Sequence, residues 1–227
     1  MKINDCLSVV HDLLDHKFIV NGYKKISPKK WTKQNGSVRF EVIIDFWKLG
    51  PELHTYLSFS VIDSQVKKIV GKYLNIDDKK NQSLHTLKFF LFDLLNPPLG
   101  NSIVFYDKDG LNSIIKNIYD KFIEIDLHIL TEKYGKLENI LNVLICQTDM
   151  YYGKSTFKYL DMITAVVISK IINSPNYDRI VGMISSEWKA RKDKFPFSYD
   201  VEFYGLILHK IINDFGEKGN VTKLVEE

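Results

Sequence analysis

The stretch Val38-Arg39-Phe40-Glu41-Val42-Ile43-Ile44-Asp45-Phe46-Trp47 decides the fold. Val38, Phe40, Val42, Ile44 and Phe46 alternate with Arg39, Glu41, Ile43, Asp45 and Trp47. That period of two belongs to a strand with one buried face. Asn35-Gly36, just before it, is a hairpin turn signal that pairs the strand backwards with Lys29 to Gln34. Gly50-Pro51 closes the other end, and Leu57, Phe59 and Val61 alternate again. Three consecutive antiparallel strands are therefore predicted, and Ile103 to Tyr106, β-branched and aromatic, offers a fourth.

Outward from this block the period changes to that of helices. Upstream, Ile3, Leu7, Val10 and Leu14 form one stripe, with Asn4 or Asp5 as cap and an end near Lys17 before the Asn21-Gly22 break. Downstream, Asp63 or Ser64 can cap a short helix through Val66, Ile69, Val70 and Tyr73. After the polar loop Asp77 to Ser83, a helix is expected through Leu84, Leu87, Phe90, Leu91 and Leu94. Leu111, Ile114, Ile115, Ile118, Phe122, Ile125 and Ile129 make the longest stripe, followed by one at Leu137, Ile140, Leu141, Leu144 and Ile145. Tyr159, Met162, Ile163, Val166 and Val167 come next, and Ser174-Pro175 leads to Tyr177, Ile180, Val181, Ile184 and Trp188. Phe203, Tyr204, Ile207, Leu208, Ile211, Ile212 and Phe215 close the series, with Gly216 where a left-handed cap belongs.

The fold class expected is α+β: an N-terminal helix and a small antiparallel sheet of three to four strands, followed by a mostly helical C-terminal half. Short connections without a Gly/Ser or Pro-rich linker favour one domain over residues 1–217, its sheet-containing part about 1–106 and its helical part about 107–217. A sheet module beside a separate helical bundle is the alternative. The polar end 218–227 is expected to fray.

With 227 residues, 45% hydrophobic and 26% charged, the chain can bury a sizeable core, which excludes wholesale disorder. No apolar run approaches the ~18 residues of a membrane span, so no membrane partner is expected. Two cysteines cannot build a disulfide scaffold, and Asp5, His11, Asp12 and Asp15 interrupt what would be a leader's apolar segment. The expected location is the cytoplasm.

Several short motifs resemble chemical sites and fall short of them. Gly153-Lys154-Ser155 looks like the end of a phosphate-binding loop, but the first glycine that loop requires is Thr148. Asp107-Lys108-Asp109-Gly110 begins like a calcium loop, yet Ile118 stands where the bidentate glutamate is needed; a turn with Asp109 as helix cap accounts for it. His11 and Asp15 share a helix face, but His11 and His16, five apart, point away from each other and cannot chelate one ion. Cys146, considered as a nucleophile with His128 or His209, sits inside a helical stripe with no exposing turn. Glu187 and Lys189, spaced as in certain nucleases, fall on a helix where alternate residues do not converge. No catalytic residue, cofactor or metal is assigned.

The basic hairpin remains. Residues 17–48 carry eight cations against Glu41 and Asp45, a local charge of +6 within a chain of net charge +3. Lys24, Lys25, Lys29, Lys30, Lys33 and Arg39 interleave with Tyr23, Trp31 and Trp47. Cations beside aromatic rings suit an acidic protein partner or single-stranded nucleic acid. Lysines on a sheet edge that block aggregation explain the same pattern structurally. A pI of about 8.6, below the usual nucleic-acid footprint, ranks the protein partner ahead of nucleic acid.

A helix, then Phe18-Ile19-Val20-Asn21-Gly22-Tyr23-Lys24-Lys25, then Trp31, the alternating Phe40 to Lys48, and a third strand with Leu57, Ser58, Phe59 and Ser60 resemble the opening of bacterial proteins labelled domain of unknown function four thousand three hundred and four. The resemblance covers about a third of the chain. It implies an α+β fold in a bacterial cytosolic protein and carries over no catalytic residue; proteins of this kind act as partner-binding or immunity-type proteins. The expectation is thus a non-enzymatic interaction protein, with partner-binding candidates Lys24, Lys25, Lys29, Lys30, Trp31, Lys33, Arg39 and Trp47. The alternatives are a nucleic-acid-associated protein or nuclease using the same cations, and an enzyme with dispersed residues between sheet and helices.

Overall fold

The computed structural model describes residues 1–75, 84–90, 102–150 and 157–218, the side chains at 146–150, 157–158 and 217–218 excepted. The expected helix, antiparallel sheet and helical C-terminal half are all present. The chain forms two compact units, each built from two stretches: Met1–Ile62 with Lys88–Gly135, and Asp63–Leu87 with Lys136–Glu227.

The first unit holds the sheet. Helix α1 (Ile3–Val20) buries Cys6, Val9, Val10, Leu14 and Phe18, and runs past Lys17 because Phe18 stacks on Trp31 at 4.5 Å. Its cap position is Lys2, whose amide donates to Asp5 Oδ2 at 2.8 Å, so Asp5 closes the first turn from inside the helix. At the other end Gly22 takes φ of +80° and Tyr23 N donates to Phe18 O at 3.0 Å, a left-handed stop that the Asn-Gly pair foretold.

Strands β1 (Lys24–Ser27), β2 (Lys30–Asn35), β3 (Val38–Leu49), β4 (Glu52–Asp63) and β5 (Leu87–Phe90) lie in that order, and β6 (Ile103–Phe105) pairs antiparallel with β4. The β2–β3 ladder runs from Asn35 opposite Val38 to Lys30 opposite Ile43, with Gly36 at φ +58° in the turn. Two elements depart from expectation. β1 was not foreseen, and residues 87–90 form a strand where a helix was expected; the remainder of that helix, residues 91–94, and the loop through Ser83 lie outside the described residues. Leu87 and Phe89 are buried while Lys88 and Phe90 are half-buried, an alternation that a four-residue run conceals behind helical spacing.

Trp31, Phe40, Val42, Ile44, Phe46, Leu57 and Phe59 line the core face of the sheet. Residues 108–133 follow without interruption as α3 (Lys108–Ile114), π-helical turns Ile115–Tyr119 and Phe122–Asp126, and α4 (Leu127–Lys133). Asp107, not Asp109, caps α3, its Oδ1 accepting from Gly110 N at 2.8 Å. In the π turns Asp120 N bonds Ile115 O and Leu127 N bonds Phe122 O, five residues back. Each such turn holds about one extra residue. The buried series therefore becomes Leu111, Ile115, Tyr119, Ile123, Leu127 and Thr131, whereas Ile125 and Ile129, expected in the core, face solvent. Tyr119 shares a buried hydrogen bond of 2.8 Å with Thr55, and Tyr23 one of 3.0 Å with Thr131.

The second unit is helical. Asp63 caps α2 (Ser64–Tyr73), its Oδ1 accepting from Gln65 N and Val66 N at 3.0 Å each. Helices α5 (Leu137–Met150), α6 (Phe157–Ile171), α7 (Tyr177–Lys194) and α8 (Tyr199–Lys218) follow. α6 packs against α2, α5, α7 and α8, and Met162, Ile163 and Ala165 to Ile168 are buried all round it. Ser174-Pro175 lies in the turn before α7. α8 passes through Gly216, which shows no positive φ, so the expected left-handed cap there is absent; residues 219–227 lie outside the described residues.

Candidate functional site

The hairpin cations are mostly engaged inside the first unit. Lys25 pairs with Asp15 at 2.5 Å, and Trp31 Nε1 donates to the other oxygen of that carboxylate at 3.0 Å. Trp31 is fully buried and Tyr23 nearly so, leaving neither ring a face on which a base could stack. Lys29 pairs with Asp45. Lys33 donates to Asn21 O at 3.0 Å and lies 5.8 Å over the Tyr23 ring. Lys17 reaches Asp120 at 3.0 Å and Glu124 at 2.8 Å. Lys24 and Lys48 are exposed and make no ion pair among the described residues.

Trp47 differs from the rest. It sits near the end of β3 on the sheet face opposite Phe46, 37% exposed, stacked on His54 at 5.1 Å and 14° and touching Tyr56 at 5.7 Å. Alternation places Leu49, two residues on, on the same face. Val104 pairs across from His54, and Tyr106 lies two residues further. Leu49 is 65% exposed, Val104 41% and Tyr106 62%. His54 is held by contacts to Ser102 Oγ at 3.3 Å and Glu52 Oε2 at 3.4 Å. Tyr106 donates to Glu52 Oε1 at 3.2 Å, and that bond to a carboxylate raises its pKa above the ordinary phenol value. Burial, and then the Asp45 carboxylate, raise that of Tyr56.

The same face turns polar further along. The two-residue turn at Gly50-Pro51, the Trp47–His54 stack and the Tyr56–Asp45 interaction set the β3–β4 register, which places Ser58 across from Ile43 and Ser60 across from Glu41. Glu41 is 1% exposed. Lys30 Nζ at 2.7 Å and Arg39 Nε at 3.1 Å approach its Oε1, neither aligned as a hydrogen bond. Phe90 on β5 packs edge-on to Tyr56, and Lys88, on the same side of that strand, lies 5.0 Å over the Phe90 ring. Burial lowers the Lys88 pKa, and the charge of Glu41 opposes that shift.

Sequence reading singled out Lys30, Arg39 and Trp47 on this face and passed over Glu41's burial, His54, Tyr56, Ser58, Ser60 and Lys88. The run His54, Tyr56, Ser58, Ser60, alternating with Leu53, Leu57, Phe59 and Val61, was the signal available. Among the other motifs, Glu187 pairs with Arg191 at 2.8 Å on α7, and His11 Nε2 contacts Pro28 O at 2.8 Å. Gly153-Lys154-Ser155 and the Cys146 side chain lie outside the described residues. Among the described residues no group of three or more His, Cys, Asp and Glu is placed to hold a metal, and no helix is long and apolar enough to cross a membrane. Compared with protein families, with curated proteins and with solved structures, the chain matches none.

Proposed function

We propose that the protein is a non-enzymatic interaction protein that receives an acidic partner protein at the hairpin end of its sheet. One observation carries this reading: Trp47, Leu49, Val104 and Tyr106 gather on one face, all exposed by more than a third. Clustered apolar surface of this kind marks interaction sites, and aromatic rings dominate interface centres. Lys48, at the same strand end but by alternation on the opposite face, is exposed and makes no ion pair among the described residues, a cation that an acidic partner reaching around the strand end would meet. A bacterial, cytosolic, immunity-type role and kinship with the family named above belong to the same proposal. The Trp47–His54 stack supports a second reading, a single-stranded nucleic acid, because stacked rings on a sheet face accept bases.

A photo-crosslinking residue at Leu49, compared with one at Ile129 on α4, tests both in cells of the source organism. The expected result is an adduct with an acidic protein from position 49 only, lost when Trp47→Ala is added. The same adducts from both positions would overturn the proposal. A nucleic-acid adduct whose affinity falls with salt at a log–log slope of about −0.7 per phosphate contact would establish the second reading in its place.

A further inference from the structure

Helix α8 carries apolar surface on both of its sides. Val201, Ile207, Leu208, Ile211 and Phe215 are buried, where the helix packs against α6 and α7. The opposite side presents Tyr199, Glu202, Phe203, Leu206, His209 and Lys210, which at about 100° per residue all fall within about 60° of Leu206. All are exposed except half-buried Phe203. Tyr199 is 75% exposed and Leu206 68%, and Tyr199 stacks on Phe203 at 5.8 Å and 12°, so apolar surface runs along two turns of the outer side. The charges on that side say what covers it. Its N-terminal half carries Glu202 and its C-terminal half His209 and Lys210, with Leu206 midway between Glu202 and Lys210. Among the described residues neither Glu202 nor Lys210 makes an ion pair; Lys210 lies 5.9 Å over the Tyr73 ring. A face acidic at one end and basic at the other is complementary to its own reverse. An anionic bilayer or a uniformly acidic partner would instead meet Glu202 as a like charge.

We propose that this side of α8 docks a second copy of the chain, the two α8 helices running antiparallel about a two-fold axis at Leu206. The two Leu206 side chains then meet on the axis, and Tyr199 and Phe203 of each copy extend the contact to either side. Each Glu202 lies level with the partner's Lys210 and close to the partner's His209. A parallel pair would set Glu202 against the partner's Glu202 and Lys210 against the partner's Lys210, so charge selects the antiparallel arrangement, and the opposed helix dipoles favour it too. One helix side per copy is a small interface, which makes the dimer a weak and reversible one. The face is separate from the exposed cluster at Trp47, and the dimer stands or falls independently of that cluster.

Sedimentation equilibrium of the whole chain, carried through the millimolar range, tests this. A monomer–dimer equilibrium is expected, at least tenfold weaker in Leu206→Glu, in Glu202→Lys and in Lys210→Glu, and recovered in the Glu202→Lys/Lys210→Glu double variant. Recovery identifies the antiparallel register, because in a parallel pair each substituted charge would still face its like. These positions are exposed, so the substitutions leave the fold intact. Under mild oxidation Leu206→Cys should cross-link to a disulfide dimer. Neither the parent chain nor Asn213→Cys should, since the two copies of position 213 stand about 21 Å apart along the helix axis. A monomer at every concentration, a dimer that Leu206→Glu leaves intact, or a double variant as weak as the single ones would overturn the proposal. So would a chain that stays monomeric yet sediments with phosphatidylglycerol vesicles through Leu206, a result that assigns the face to a bilayer.

Discussion

Among the glycines of the described residues, Gly205 on α8 is the one where an added methyl group has the most to disturb. A Cβ built there stands 2.0 Å from Trp188 Cζ2, 2.6 Å from Cε2 and 2.8 Å from Cη2, distances that real Cβ atoms do not show. The indole cannot simply swing away. Trp188 is buried on α7 and meets Tyr159 edge-on at 5.8 Å; Tyr159 in turn stacks on Tyr204 at 5.6 Å and lies 5.4 Å beneath the Arg191 guanidinium. Alanine favours a helix over glycine by about 1 kcal/mol, and overpacking of a filled core costs about 1–3 kcal/mol. With so short an approach the upper part of that range applies, leaving Gly205→Ala less stable by about 1–2 kcal/mol. A melt followed by far-ultraviolet circular dichroism should then show a midpoint lower by about 2–8 °C for a chain of this size. Trp188→Leu, which opens the space, should absorb the added methyl, so the double-mutant cycle should show coupling of about 1 kcal/mol or more. A Gly205→Ala variant as stable as the parent, or stabilised by the helix-propensity gain alone, would refute the reasoning.

Glu41→Gln leaves Lys30 and Arg39, whose side chains keep 29% and 41% exposure, facing an uncharged amide, and should destabilise the first unit by about 1 kcal/mol in urea unfolding. Asp63→Ala removes the acceptor for Gln65 N and Val66 N and should cost about 1–2 kcal/mol, read in the same assay. Burial raises the Tyr23 and Tyr119 phenols above their ordinary value of 10.0, so their contribution to stability is complete below about pH 10 and is lost as pH rises beyond it. Unfolding measured from pH 8 to pH 11 should show this alkaline decline, and Tyr119→Phe, at a neutral-pH cost of about 1–2 kcal/mol for leaving Thr55 unpaired, should flatten it.

The hairpin block was readable because three signals agreed there: the alternation in β3, the turn pairs at Asn35-Gly36 and Gly50-Pro51, and the return of alternation in β4. β1 was not, because all four of its residues are exposed and an unburied strand writes no period. The helical stripe through Ile125 and Ile129 misled for a different reason: it assumed a constant pitch, which the two π turns break. Charge misled most. The +6 counted over residues 17–48 took no account of Asp15, Asp120 and Glu124, distant in sequence, which the fold brings to Lys25 and Lys17. Trp47 and the cations Lys30 and Arg39 were legible as surface chemistry. That they share a face with two buried serines and a buried glutamate depends on strand register, which composition does not carry.

The two π turns have a consequence for how this chain tolerates insertions and deletions. Between Leu111 and Thr131 the helix keeps one side against the sheet only because it carries surplus residues at two points. Removing a single residue at one π turn lets that turn revert to ordinary α-helical winding and leaves everything beyond it in phase, whereas a residue added where no further π turn absorbs it turns everything beyond it by about 100°. After such an insertion before Leu127, Leu127 would turn outward and Thr131 would leave the Tyr23 hydroxyl. Along this segment, residue count governs which side chains reach the core as strictly as residue identity does.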